Sequence, residues 1–185
     1  MINKILATID SSPRSQAVFE MAVSLAQGTK ARLMFLHILS EQDSDYPLLP
    51  TYAYYSVLKN NDEGLFQQKF DEYEQQQEKL LSSLTQKAIA AGVDTEYTLL
   101  NGIPGWEICE LANTWSADLI LVGSRGLKGL KEMFLGSVSN YVTHHAPCSV
   151  LLVRNDTDLV SYSVDMSDEA QIEADSKQKF QIKIN

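Results

Sequence analysis

Five short apolar runs punctuate this chain, and segments of helical period lie between them. Residues 2–9, 31–39, 93–100, 117–122 and 148–153 are rich in Ile, Leu and Val and read as strands buried on both faces. After the first, Ala17, Val18, Met21, Ala22, Leu25 and Ala26 recur at helical spacing. After the second comes a long polar helix over 63–91, with Phe66, Phe70, Tyr73, Leu80, Leu84 and Ala88 as its apolar stripe. Ile108, Leu111, Ala112 and Trp115 share one face of a short helix that opens at 102–105, and a last helix is expected over 136–145, broken by Ala146-Pro147. Strict alternation of strand and helix commits the chain to an α/β fold: an open five-stranded parallel sheet with helices on both faces. Right-handed crossovers then bring every strand's C-terminal end to one edge. That edge collects Asp10, residues 37–39, Asn101-Gly102 and residues 123–126, and ligands of such sheets bind there, where the winding reverses.

The connections carry their own signals. Asp10-Ser11-Ser12-Pro13 is a turn and helix start. Gly28 and Gly92 are expected helix stops. Residues 41–62 are irregular and hold Pro47, Pro50 and four tyrosines, Tyr46, Tyr52, Tyr54 and Tyr55, which suit either a lid over a planar ring or a packing surface. Residues 1–154 are expected to form one domain, and 155–185 an acidic C-terminal extension with seven Asp or Glu against three Lys. Two pieces of the extension alternate, Val160, Tyr162, Val164, Met166 and then Phe180, Ile182, Ile184, so the segment is either partly disordered or adds a strand to a partner.

Composition removes several function classes. A formal charge of −9 repels nucleic-acid phosphates and anionic lipid surfaces, so neither partner is expected. No apolar run reaches the roughly 20 residues needed to span a bilayer, and the first residues show no secretory h-region, so a cytoplasmic protein is expected. Cys109 and Cys148 lie in apolar surroundings without metal-ligand spacing and read as buried thiols.

The chemistry sits after the fourth strand. Gly123-Ser124-Arg125-Gly126 is followed by Gly136-Ser137 at the start of the last helix. Missing side chains let backbone N–H groups approach an anion, and a helix N-terminus adds about half a positive charge. Arg125, Lys128 and Lys131 supply local cations, or stand solvated on the loop. The pattern is no Walker A loop, since no Gly-Lys-Ser/Thr follows. It is no dinucleotide fingerprint either, since that loop follows the first strand of its unit.

Gly-x2-Gly-x9-Gly-Ser, here Gly123, Gly126, Gly136 and Ser137, resembles the signature of the nucleotide-binding universal stress proteins. The resemblance covers residues 1 to about 154 and extends to the first strand ending in Asp10, Leu36-His37-Ile38, Gly102-x-Pro104, residues 118–123 and residues 146–153. It implies the Rossmann-like, adenine nucleotide alpha hydrolase-like form of the α/β fold. It further implies that Val122, Gly123 and Gly126 underlie ribose and phosphates, that Gly136, Ser137 and Val138 bind phosphate oxygens, that Asp10 lies beside the adenosine, and that Ile38 meets adenine through its backbone. Gly102 and Arg125 join this set, and Thr8 stands where the family often has Pro. The implied ligand is ATP, ADP, AMP or a cyclic adenine nucleotide, with Mg accompanying ATP. The implied assembly is a homodimer through the last core strand, 149–153, and the extension is expected to cross to the partner.

Several residues have plainer roles. Asp10 also suits a helix cap, His37 a packed core position, and His144-His145 the negative end of a helix dipole. Asp10 is the single carboxylate expected near the site, so no catalytic pair emerges. The expected function is a nucleotide-binding regulatory protein of the stress response. A slow ATP-hydrolysing or nucleotide-transferring enzyme, and an interaction scaffold without nucleotide, are the alternatives.

Overall fold

A computed structural model describes residues 1–41, 43, 46–47, 63–124 and 135–154, with backbone only over 63–66. All of these fall within the unit Met1–Arg154. Tyr52, Tyr54, Tyr55, the loop 125–134 and the extension 155–185 lie outside the described residues.

The strands are β1 (Lys4–Thr8), β2 (Arg32–Leu39), β3 (Thr95–Asn101), β4 (Leu119–Gly123) and β5 (Ser149–Val153). The described helices are α1 (Ser15–Thr29), α2 (Glu63–Ala90), α3 (Pro104–Thr114) and α4 (Ser137–His145). The sheet order is β3-β2-β1-β4-β5 and every pairing is parallel. The chain winds outward from β1 to β3 and then resumes beside β1 with β4, so the winding reverses between β1 and β4.

Alternation along each strand sorts the core into two layers. Ile5, Ala7, Leu33, Phe35, Leu119 and Leu121 face Val18 and Ala22 of α1 and Leu81, Leu84 and Ala88 of α2. Leu6, Met34, Leu36, Ile38 and Ile120 face Ile108 and Ala112 of α3 and Val142 of α4. Each fully buried Leu, Ile or Phe contributes roughly 1.5–3 kcal/mol of transfer free energy. That reward for covering both faces explains why the strands read as continuous apolar runs.

The ends of elements show where backbone chemistry overrides the sequence expectation. Gly28 does not stop α1: the helix runs to Thr29, and Lys30 takes the left-handed turn at φ 58°, with Ala31 N–H donating to Ala26 C=O at 3.2 Å. Gly92 does end α2, at φ 84°. The buried stripe of α2 passes through Tyr73, Gln77, Leu81, Leu84, Thr85 and Ala88, so Leu81 rather than Leu80 is central and a polar residue is fully covered. Pro104 occupies the first turn of α3, where its missing N–H has no cost. At the opposite edge of the sheet, Asp118 Oδ2 accepts the N–H groups of Asn3 (2.7 Å) and Lys4 (3.0 Å), pinning the start of β1 against β4. Those two N–H groups hold its carboxyl below the ordinary carboxylate value.

Candidate functional site

The reversal between β1 and β4 opens a cleft at the C-terminal edge of the sheet. It is an open cleft, about 820 Å³ when the solvent-filled space out to its mouth is counted. Four connections wall it. The β1 loop gives Thr8, Asp10 and Arg14. The end of β2 gives His37 and Ile38, and the segment beyond it gives Asp43. The end of β4 gives Val122 and Gly123, and the start of α4 gives Gly136, Ser137 and Val138. Pro104 and Ile108 of α3 close the side between β2 and α4.

Asp10 is held in place by its own loop. Its Oδ1 accepts the Ser12 N–H (2.9 Å), the Ser12 hydroxyl (2.6 Å) and the Ser15 hydroxyl (2.6 Å), while its N–H donates to Ser15 Oγ at 2.8 Å. This is an Asx turn rather than a helix cap, and Arg14, not Asp10, stands at the cap position of α1. The carboxylate is thereby fixed at the cleft wall.

At α4 the chain arrives extended, with Gly136 at φ −60° and ψ 159°, and among the described residues no side chain caps the helix. The first-turn N–H groups of Ser137, Val138 and Ser139 therefore carry the dipole's positive end at the cleft, where an anion is favoured. Ser139 Oγ turns back to the Gly136 carbonyl at 3.0 Å. Gly123 has no positive φ, and among the described residues a Cβ built there meets only Val18 Cγ2, at 3.6 Å. Nothing among the described residues requires glycine at that position.

On the β2 side, His37 is 2 % exposed and its Nδ1 donates to the Ile9 carbonyl at 2.7 Å. Its Nε2 lies 3.4 Å from Asp43 Oδ2, in ion-pair range but off the hydrogen-bond direction. The Tyr73 hydroxyl donates to the same oxygen at 2.5 Å. Burial pushes the Asp43 carboxyl up. The contacts with His37 and Tyr73, the His37 charge and the Ser40 backbone outweigh this and leave it below the ordinary value.

Of the residues expected from sequence, the structure brings Thr8, Asp10, Ile38, Val122, Gly123, Gly136, Ser137 and Val138 to one cleft. Arg125 and Gly126 lie outside the described residues. Gly102 is not part of the wall: it turns the chain after β3 at φ 149°, and a Cβ there would run into the Glu107 carboxylate. Arg14 and Asp43 were missed. The first is the sole Lys or Arg among the described residues of the wall, and its place one turn after Asp10 was a usable signal. Asp43 supplies a second carboxylate from an irregular segment, where spacing carries no directional information. Tyr46 packs edge-on to Phe70 and Tyr73, at 6.0 and 5.7 Å between ring centroids, so this member of the tyrosine segment has a packing role. The thiols of Cys109 and Cys148 are pushed up, chiefly by burial.

A five-stranded parallel sheet with an anion-favouring cleft at its switch point defines the class of Rossmann-like α/β ligand-binding domains. Within that class, the model of the universal stress protein family matches residues 1–154, and the chain belongs to that family. It is 35 % identical over 152 residues to universal stress protein Sll1388 of Synechocystis sp., covering 82 % of this chain and 97 % of that one. The fold is similar to that of universal stress protein UspA from Lactobacillus plantarum (TM-score 0.65, 24 % identity, 83 % of this chain and 98 % of that one). It is also similar to a universal stress protein solved in complex with cAMP (TM-score 0.53, 23 % identity, 83 % of this chain and 97 % of that one).

Proposed function

We propose that this chain binds an adenine nucleotide in the cleft and serves as a regulatory protein of the stress response whose state follows occupancy. One observation carries the reading: an uncapped helix N-terminus at Ser137 shares a wall with a fixed carboxylate, Asp10, and a cation, Arg14. The first suits phosphate and the second suits ribose or base hydroxyl and amino donors. In this reading Gly136, Ser137 and Val138 hold phosphate oxygens, Val122 and Gly123 run beneath the sugar, and Ile38 offers backbone to the base. Thr8 lines the same wall, and Arg125 and Gly126 complete the phosphate loop. Family membership and the cAMP complex of a protein of the same fold support the choice of adenine. ATP, ADP, AMP and cyclic forms all fall within it, with Mg alongside ATP, and a cytoplasmic homodimer is the proposed form. Exposure of β5 supports pairing through that strand: it is the sheet's edge, with Val150, Leu151 and Leu152 only half-buried.

Native mass spectrometry of the purified protein, followed by calorimetric titration with ATP, ADP, AMP, cyclic AMP and GTP, tests the reading. Retention or micromolar binding of an adenine nucleotide, with GTP weaker, is the expected result. Failure of all five to bind overturns it.

A further inference from the structure

Tyr73 and Gln77 stand one turn apart on α2, on the same face, and are 4 % and 1 % exposed. Neither touches the cleft, yet each bonds to a different loop that does. Tyr73 donates its hydroxyl to Asp43 Oδ2, beyond the end of β2. Gln77 Oε1 accepts the Ser11 hydroxyl at 3.0 Å, in the β1 loop between Asp10 and Ser12. The strand ends that lead into these loops are tied as well, by His37 Nδ1–H of β2 to the Ile9 carbonyl just beyond β1. Below this pair, α2 is fixed to the sheet by Leu81, Leu84 and Ala88.

A buried polar group left unpaired is costly, so each bond tolerates little displacement of its partner. Shifting the upper turns of α2 therefore drags or releases both loops together. We propose that α2 is a strap spanning two walls of the cleft, with Tyr73 and Gln77 as positioning residues that couple cleft occupancy to the position of this helix. The coupling rests on the nucleotide reading above; the strap itself does not. Linkage makes it reciprocal: whatever displaces α2 changes affinity, and the ligand changes α2 to the same extent.

Two variants isolate the bonds. Tyr73→Phe removes one oxygen and keeps the ring against Tyr46 and Phe70, and Gln77→Met keeps the side-chain bulk. Lys79→Gln, on the exposed side of α2, is the control. In the ligand-free protein, amide exchange measured by NMR is expected to quicken about fivefold or more at Asp43 and Tyr46 in Tyr73→Phe, and at Ser12 and Ser15 in Gln77→Met, the scale of one lost hydrogen bond. The strand amides of Leu33 and Phe35 should not change. Uniform acceleration at all these amides, or none, overturns the strap. Titration with AMP and ATP then tests the coupling. Weaker binding by both variants, with α2 resonances of residues 73–80 shifting on saturation of the wild type, supports it. Unaltered affinity in variants whose loops exchange faster overturns the coupling. If the wild type binds neither probe, the nucleotide reading and the coupling built on it both fall, while the ligand-free exchange still decides the strap.

Discussion

Ser15 and Asp10 are bonded twice: the Ser15 hydroxyl donates to Asp10 Oδ1 at 2.6 Å and accepts the Asp10 N–H at 2.8 Å. Ser15 is the first residue of α1 and 8 % exposed, so the pair joins the helix to the cleft wall. Ser15→Ala removes both bonds, one of them to a charged group. The expected loss is about 1.5–3 kcal/mol of stability, read from denaturant midpoints. Adenosine and AMP affinity should fall together, because the carboxylate loses its fixed direction. An unchanged midpoint would show that the loop holds Asp10 without this serine.

Gly136→Asp separates folding from binding. Gly136 has angles that any residue adopts, and an acidic side chain at a helix N-terminus stabilises it by about 0.3–1 kcal/mol. The same charge about 4 Å from a phosphate costs on the order of 4 kcal/mol at an effective dielectric of 20. Thermal stability should hold or rise while AMP and ATP binding falls more than about a hundredfold. Equal AMP affinity in variant and wild type would place the phosphate elsewhere.

Gly123→Ala asks whether this glycine serves the fold or the ligand. Its added methyl meets Val18 Cγ2 at ordinary contact distance. The melting temperature should stay within about 2 °C, a change of no more than about 1 kcal/mol. Nucleotide affinity should drop at least several-fold if backbone approach is needed there. A large loss of stability would mean that the packing beside Val18 cannot give.

Asp43 is expected to contribute to the acid limb of the stability profile. Its carboxyl lies below its ordinary value in the folded protein despite burial. Such a group favours the folded state at every pH above its unfolded value, and that contribution is lost as pH falls through the folded value. Stability should therefore decline on acidification from about pH 4 downward, and Asp43→Asn should flatten part of that decline. Identical urea profiles for the two proteins between pH 2 and 5 would contradict this.

Much of the architecture could be read directly from the order of residues. Continuous apolar runs such as 31–39 admit only a strand covered on both faces, and alternation with helices leaves one economical sheet. The spacing of Gly123, Gly136 and Ser137 pointed to the cleft because strand ends and helix starts must meet at one edge of a parallel sheet. Local stops were less legible: Gly28 is an apt terminator, but α1 runs on to Thr29 and Lys30 takes the left-handed turn in its place.

Chain order and residue type alone therefore determined the class of fold, the edge of the sheet at which the cleft opens and the glycine that precedes α4 there, all consequences of periodicity and backbone freedom. Tertiary structure alone decided that Asp43 joins the wall, that Gly102 does not, and that Tyr73 and Gln77 reach two separate loops. The last of these depends on the direction of side chains across sequence separations of 30 and 66 residues. No local pattern encodes a direction over that distance; packing of α2 against the sheet does.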